Sequence, residues 1–173
     1  MPMSEHKALD KVWQRQRSRR CIAYCGACIL ALVALLTMLR PFGFIGINWT
    51  DSIAGTFFWV DTTRRPTLGD IAAFYPPKGN RYADTIWFGK YIVGVAGDEV
   101  VFKDHQVFIN GHAKGRVLLT ASNGDPLEPA TGGVIPPAHF FVWTPHFKSY
   151  DSRYKDIGLI HENDIFGRVV PVL

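Results

Sequence analysis

The stretch Phe88-Gly-Lys-Tyr-Ile-Val-Gly-Val-Ala-Gly-Asp-Glu-Val100 decides how this 173-residue chain is read. Tyr91 to Val95 is an apolar run that reads as a buried strand, Ala96-Gly97-Asp98 as a turn, and Glu99 as the start of a second strand. Lys90 heads the apolar run. Burial disfavours the charged form of a lysine, and a lysine that is neutral at working pH can act as a general base. The competing reading is a strand-end lysine whose stem lies on apolar surface while its ammonium reaches water. Other parts of the chain separate the two.

On either side of this stretch the pattern stays that of strands. Residues 56–60, 71–75, 85–95, 99–103, 106–110, 117–120, 139–143 and 165–172 are predicted strands. Turns separate them at Leu68-Gly-Asp, Pro76-Pro-Lys-Gly-Asn, Lys103-Asp-His-Gln, Asn110-Gly and Ile135-Pro-Pro, and residues 119–133 read as a polar loop. Short strands with glycine and proline punctuation predict a mainly β domain. Roughly 120 residues are enough for one hydrophobic core without disulfides.

The formal charge of +4 is local. Lys7, Lys11, Arg15, Arg17, Arg19 and Arg20 against Glu5 and Asp10 supply all of it, and the remaining residues balance. The basic character therefore describes a tail and not a nucleic-acid-binding face. Residues 21–39 follow without a charge. As a helix they span roughly 28 Å, close to the thickness of a hydrocarbon core. The run is longer than the core of a cleaved signal peptide, and Arg40-Pro41-Phe42 is a poor cleavage context. The expected organisation is a cytoplasmic basic tail (1–20), a transmembrane helix (21–39), an aromatic interfacial linker (40–51) and a catalytic β domain (52–173). The basic excess before the span places the tail inside and the rest across the bilayer.

Cys21, Cys25 and Cys28 all lie in the span, without the partners a metal site needs, and read as small helix residues. The six histidines are scattered without metal-ligand spacing, no phosphate-cradling glycine loop is present, and a Gly-x-Ser-x-Gly elbow is missing. Neither metal nor cofactor is expected.

Two further segments carry reactive groups. Ser52 lies thirteen residues beyond Leu39 in Asn48-Trp-Thr-Asp-Ser-Ile-Ala-Gly55, and a serine in such a turn is by default a turn or cap residue. Phe140-Phe-Val-Trp-Thr-Pro-His-Phe-Lys-Ser-Tyr-Asp-Ser-Arg-Tyr154 runs from an apolar strand into a turn rich in hydroxyl, carboxylate and guanidinium groups. The i, i+2 spacing of Asp151 and Arg153 lets them pair as a brace for that loop, and Ser149 shares their face, where it can hydrogen-bond an amine.

In this order, the anchor, Ser52, Gly69-Asp-Ile-Ala-Ala-Phe-Tyr-Pro-Pro77, Lys90-Tyr-Ile-Val-Gly-Val-Ala-Gly-Asp98 and Ser149-Tyr-Asp-Ser-Arg153 resemble the type I signal peptidase family of Ser–Lys membrane proteases. More closely, the chain resembles the short TraF-type branch of pilin-processing peptidases, whose Asn-x-Thr-x-Ser-Ile pattern around the serine it follows as Asn48-Trp-Thr-Asp-Ser-Ile53, with Ala54 in place of the proline that comes next. The resemblance implies Ser52 as nucleophile and Lys90 as general base. It also implies that Thr50 and the Ser52 N–H hold the oxyanion, Ser149 orients the lysine, and Asp151 with Arg153 supports it. Two positions depart from the family. Trp143-Thr-Pro145 stands where many members have Gly-Asp-Asn, and Tyr91 replaces the usual arginine after the lysine.

The implied function is cleavage of an exported precursor after small residues. That precursor is either a secretory preprotein or a conjugative pilin, with a bacterial inner membrane as the other partner. A non-enzymatic assembly subunit that kept the fold is the alternative. A DNA-binding Ser–Lys autoprotease has no room for its DNA-binding domain.

Overall fold

The computed structural model describes residues 3–50, 52–80 and 86–172. It divides into two units, Met1–Pro41 and Phe42–Leu173. The first is one helix, α1 (Met3–Leu39). The helix includes the basic segment expected to be a tail before the span, because residues 3–20 contain neither glycine nor proline and are rich in good helix formers. It ends two residues before Pro41, whose ring disfavours helical geometry in the residue ahead of it. Its stretch Arg19–Leu39 has a mean hydropathy of 2.4 and is long and apolar enough to cross a membrane. Within that stretch the Thr37 hydroxyl donates to the carbonyls of Val33 and Ala34, so it needs no water.

The second unit is mainly β. Its strands are β1 (Gly43–Ile47), β2 (Phe57–Asp61), β3 (Ile71–Phe74), β4 (Phe88–Gly94), β5 (Glu99–Lys103), β6 (Gln106–Ile109), β7 (His112–Arg116), β8 (Gly133–Val134), β9 (His139–Trp143), β10 (Ile160–His161) and β11 (Ile165–Pro171). One sheet has the order β1-β2-β11-β3-β4-β9-β10 and the other β7-β6-β5-β8. All the pairings described are antiparallel.

The larger sheet is covered on both faces around its centre. All four residues of β3 are buried, with Ile71 and Ala73 in a cluster with Phe58, Val60 and Val169. Ala72 and Phe74 join a different cluster with Ile92, Val142 and Ile160. β4 beside it repeats the division, with Tyr91 packed on the first cluster and Ile92 in the second. A lysine in the same pleat row as Ile92 is therefore carried into an apolar interior. A bulge between Ile92 and Gly94 then resets the register of β4 against β9. Gly94 is needed there because a Cβ would lie 2.8 Å from Ile135 Cδ1 and 3.0 Å from Phe141 Cβ.

Two expectations are corrected. Residues 43–47, assigned to the linker, form β1, which pairs along its whole length with β2. Its Phe44 packs against Trp87 and Phe166, contacts that hydropathy alone does not reveal. The expected strand at 117–120 is displaced to β7. The Asn110-Gly111 turn, with φ of 48° and 78°, closes a two-residue hairpin, so the polar residues after it pair with β6 despite having no apolar pattern. The expected start of the β4 strand at Thr85 lies outside the described residues.

Close packing of β1 yields a test. A Cβ on Gly46 would lie 2.5 Å from Trp87 Cζ2. Gly46→Ala is expected to destabilise the β unit by about 1–3 kcal/mol through overpacking, measured by chemical denaturation.

Candidate active site

Lys90 sits in the middle of β4, only 6% exposed, paired across the sheet with Ala72 of β3. Its Nζ donates to Ser149 Oγ at 2.8 Å and lies 5.3 Å from the centre of the Phe88 ring. Burial is the largest influence on the amine and lowers its pKa from 10.5 to about 8. The charge of Asp151 opposes this shift and that of Arg153 reinforces it. With a pKa of about 8, roughly a fifth of the lysine is neutral near pH 7.4, against about 0.1% for an unperturbed one.

Ser149 belongs to the loop after β9, and its position depends on a buried ion pair. Arg153 Nε donates to Asp151 Oδ1 at 2.8 Å and Nη2 to Oδ2 at 2.9 Å, with both side chains at most 1% exposed. Arg153 Nη2 also reaches the carbonyls of Ser149 and His146, and Nη1 that of Arg116 on β7. The guanidinium thus ties the loop to the second sheet while its carboxylate partner accepts the N–H of Thr144, just past β9. Ser152 completes the attachment. Its Oγ accepts the Val142 N–H at 2.9 Å and its N–H donates to the Val142 carbonyl at 3.0 Å. No role for Ser152 was expected, since a serine hydroxyl bonded to a strand backbone leaves no pattern in sequence.

Ser52 is half-buried in a turn organised by Asn48. Asn48 Oδ1 accepts from both the N–H and the Oγ1 of Thr50, each at 3.1 Å. Its Nδ2 donates to the carbonyls of Ile53 at 2.8 Å and Gly55 at 3.2 Å, and its N–H donates to the Thr56 carbonyl. One side chain therefore clasps the chain on both sides of the serine, as in an Asx turn. Sequence reasoning placed Asn48 in a motif without a role. The asparagine two residues before a threonine and four before the serine was the available signal.

The turn lies beside β4, since a Cβ on Gly89 would meet Ile53 Cδ1 at 3.4 Å. Among the described residues no hydrogen bond joins Ser52 to Lys90, whose bond goes to Ser149. Thr50 is exposed, and its hydroxyl proton is directed to Asn48. The structure therefore brings Lys90, Ser149, Asp151 and Arg153 into one bonded network and sets the Ser52–Thr50 turn next to the strand that carries the lysine. His146 enters that network by its backbone carbonyl alone.

The family model for signal peptidase, peptidase S26, matches residues 17–173. The chain belongs to the signal peptidase family. Two relatives of this S26 chain are conjugal transfer proteins TraF of Agrobacterium. That of A. fabrum (strain C58 / ATCC 33970) is 28% identical over 172 residues, covering 89% of this chain and 96% of the relative. That of A. tumefaciens (strain 15955) is 27% identical over 175 residues, covering 90% and 97%. A signal peptidase I from Enterococcus faecalis V583, known from a crystal structure, is 21% identical with a TM-score of 0.41, over 62% of this chain and 98% of that one.

The lowered pKa of Lys90 has a consequence for stability. The unfolded lysine binds its proton up to about pH 10.5, the folded one only to about pH 8. The burial penalty of about 3 kcal/mol is therefore complete below pH 8 and vanishes as pH rises through 10.5. Lys90→Met is expected to be the more stable protein at pH 7, and the wild type to close that gap by about pH 10.5. Paired denaturation curves at the two pH values measure it, and a gap independent of pH contradicts it.

Proposed function

We propose that this S26 chain is a membrane-anchored serine endopeptidase, with Ser52 as nucleophile and Lys90 as general base, that processes an exported precursor for conjugation. The observation that carries the reading is the buried Lys90 amine with its pKa brought down to about 8, bonded to Ser149 beside the Ser52 turn. A lysine kept only for structure gains nothing from losing its charge. A general base needs that loss.

In the reaction, the neutral amine removes the Ser52 Oγ proton as the oxygen attacks the scissile carbonyl. The Ser52 N–H and the Thr50 hydroxyl, once turned away from Asn48, donate to the developing oxyanion. The protonated lysine passes its proton to the leaving amine, and a second nucleophile resolves the acyl-enzyme. Ser149 holds the amine in place, while Asp151 and Arg153 hold Ser149. A substrate in extended form can add to a strand edge and offer small residues before the cut.

The names of the Agrobacterium relatives and the Asn-x-Thr-x-Ser-Ile pattern favour a conjugative precursor such as a pilin over the general set of secretory preproteins. The apolar stretch Arg19–Leu39, with the basic residues before it, supports a single span of the inner membrane with the β unit outside. Exposed Phe42, Ile45, Ile47 and Trp49 beyond the helix suit a place close to the lipid surface.

Peptide cleavage by purified variants in detergent tests the dyad. Lys90→Arg should abolish cleavage because a guanidinium stays protonated, and the wild-type rate should rise with pH through about 8. Near-normal cleavage by Lys90→Arg would remove the lysine as base. An assembly subunit without activity predicts instead that Ser52→Ala and Lys90→Arg both support conjugation like the wild type. Thr50→Val should lower kcat by roughly 10- to 1000-fold with folding intact, as for other lost oxyanion donors. An unchanged kcat removes Thr50 from the oxyanion site.

A further inference from the structure

Among the described residues two buried side-chain polar atoms have no hydrogen-bond partner, Trp143 Nε1 and Thr144 Oγ1. Thr144 is 0% exposed. An orphaned buried hydroxyl is destabilising, and valine, nearly the same shape, would avoid that cost. A hydroxyl kept under those terms calls for an explanation.

Its place in the sheet supplies one. β4 and β9 pair Ile92 with Val142 and Tyr91 with Trp143. The same register carried one step sets Thr144 opposite Lys90. Residues directly opposite share a face, with Cβ atoms roughly 4.5–5.5 Å apart. Val142, two residues before Thr144, lies in one cluster with Ile92 and with Ala72, the partner of Lys90 on β3. Continued in that register one residue beyond β9, Thr144 joins Ala72 and Lys90 on that face, while Trp143 falls on the other.

Resting on the Ser–Lys reading above, we propose that Thr144 is a positioning residue whose hydroxyl accepts a hydrogen bond from Lys90 once the amine has taken the serine proton. A neutral amine has two N–H groups and a lone pair. One N–H is used by Ser149 Oγ, and the lone pair must face Ser52. When the Oγ–H bond of Ser52 breaks, its proton joins that lone pair. The new Oγ–C bond forms at the same time, and the carbonyl π electrons move to oxygen. The amine is now an ammonium with three N–H groups. Ser149 holds one, and the one just formed faces Ser52 and then the leaving nitrogen. The remaining N–H is a weak donor in the neutral amine, but once it carries charge inside an apolar interior it needs an acceptor.

The charged groups that act on Lys90 are Asp151 and Arg153. Arg153 accepts nothing. The Asp151 carboxylate already takes four hydrogen bonds, from Arg153 N, Nε and Nη2 and from the Thr144 N–H, which uses its lone-pair capacity. Among the described residues the Thr144 hydroxyl is the buried side-chain acceptor left unused, and the Phe88 ring, 5.3 Å from Nζ, offers the ammonium only its face. It has no partner while the lysine is neutral and gains one when the amine is charged, so above about pH 8, where the resting lysine is neutral, its contribution falls on the reacting state.

Thr144→Val and Thr144→Ser, purified as full-length proteins in detergent, test this by peptide cleavage across about pH 6 to 10 with denaturation curves alongside. The valine variant is expected to be as stable as the wild type or more so, yet to lose kcat about 10-fold at constant KM. Its rising pH limb should move down by roughly one unit, the pKa equivalent of a 10-fold loss, because the ammonium has lost an acceptor. Serine should restore both. A purely structural threonine predicts a less stable valine variant with an unmoved pH limb, and that result overturns the proposal. So does wild-type kcat in the valine variant. Ser52→Ala and Lys90→Ala run in parallel separate the two levels. If they are inactive while Thr144→Val is normal, the proposal about Thr144 alone falls. If they cleave like the wild type, or the wild type does not cleave, the Ser–Lys reading falls with it.

Discussion

The buried pair of Asp151 and Arg153 is the constraint on which the rest of the site depends. A guanidinium and a carboxylate taken from water are costly unless every donor and acceptor is met, and here they are met by each other and by backbone. Because those backbone partners lie on β7, just past β9 and in the loop itself, satisfying one ion pair joins both sheets to the segment that carries Ser149. Removal of either partner would leave an uncompensated charge in the interior, so the loop has little freedom to take another path.

The pair also sets the electrostatics of Lys90. A lone carboxylate near a buried lysine would hold it protonated. With Arg153 bonded to the same carboxylate the two charges act in opposite directions on the amine, and burial prevails. Burial in turn follows from the larger sheet, in which β3 is buried throughout and the face of β4 that carries Lys90 is covered, leaving the lysine 6% exposed. The fold and the lowered pKa of Lys90 are thus linked through the same apolar cluster that contains Ala72 and Ile92.

The serine side is built differently. Its turn is held by hydrogen bonds of one asparagine and not by burial, and Thr50 remains exposed. Such a turn is easier to rearrange than the lysine side, which suits the substrate-admitting role proposed for it. The Thr50 hydroxyl donates to Asn48, and the proposed mechanism requires that bond to yield to an oxyanion, a stronger acceptor.

Much was legible in the chain itself. The apolar run of the helix, the strands at β4, β5 and β9, the turn at Ala96-Gly97-Asp98 and the i, i+2 pairing of Asp151 with Arg153 all follow from local periodicity and spacing. These are interactions between near neighbours, and local sequence determines them. What only the tertiary structure decided depends on residues distant in the chain. β1 and β7 are strands because partners hold them, although neither has the alternation of a strand. The depth of Lys90 comes from β3 and β9 on either side of it, and its bond to Ser149 spans 59 positions. The orphaned hydroxyl of Thr144 is likewise visible only once β9 is set beside β4, because whether a polar atom has a partner is a property of the folded neighbourhood and not of the residue.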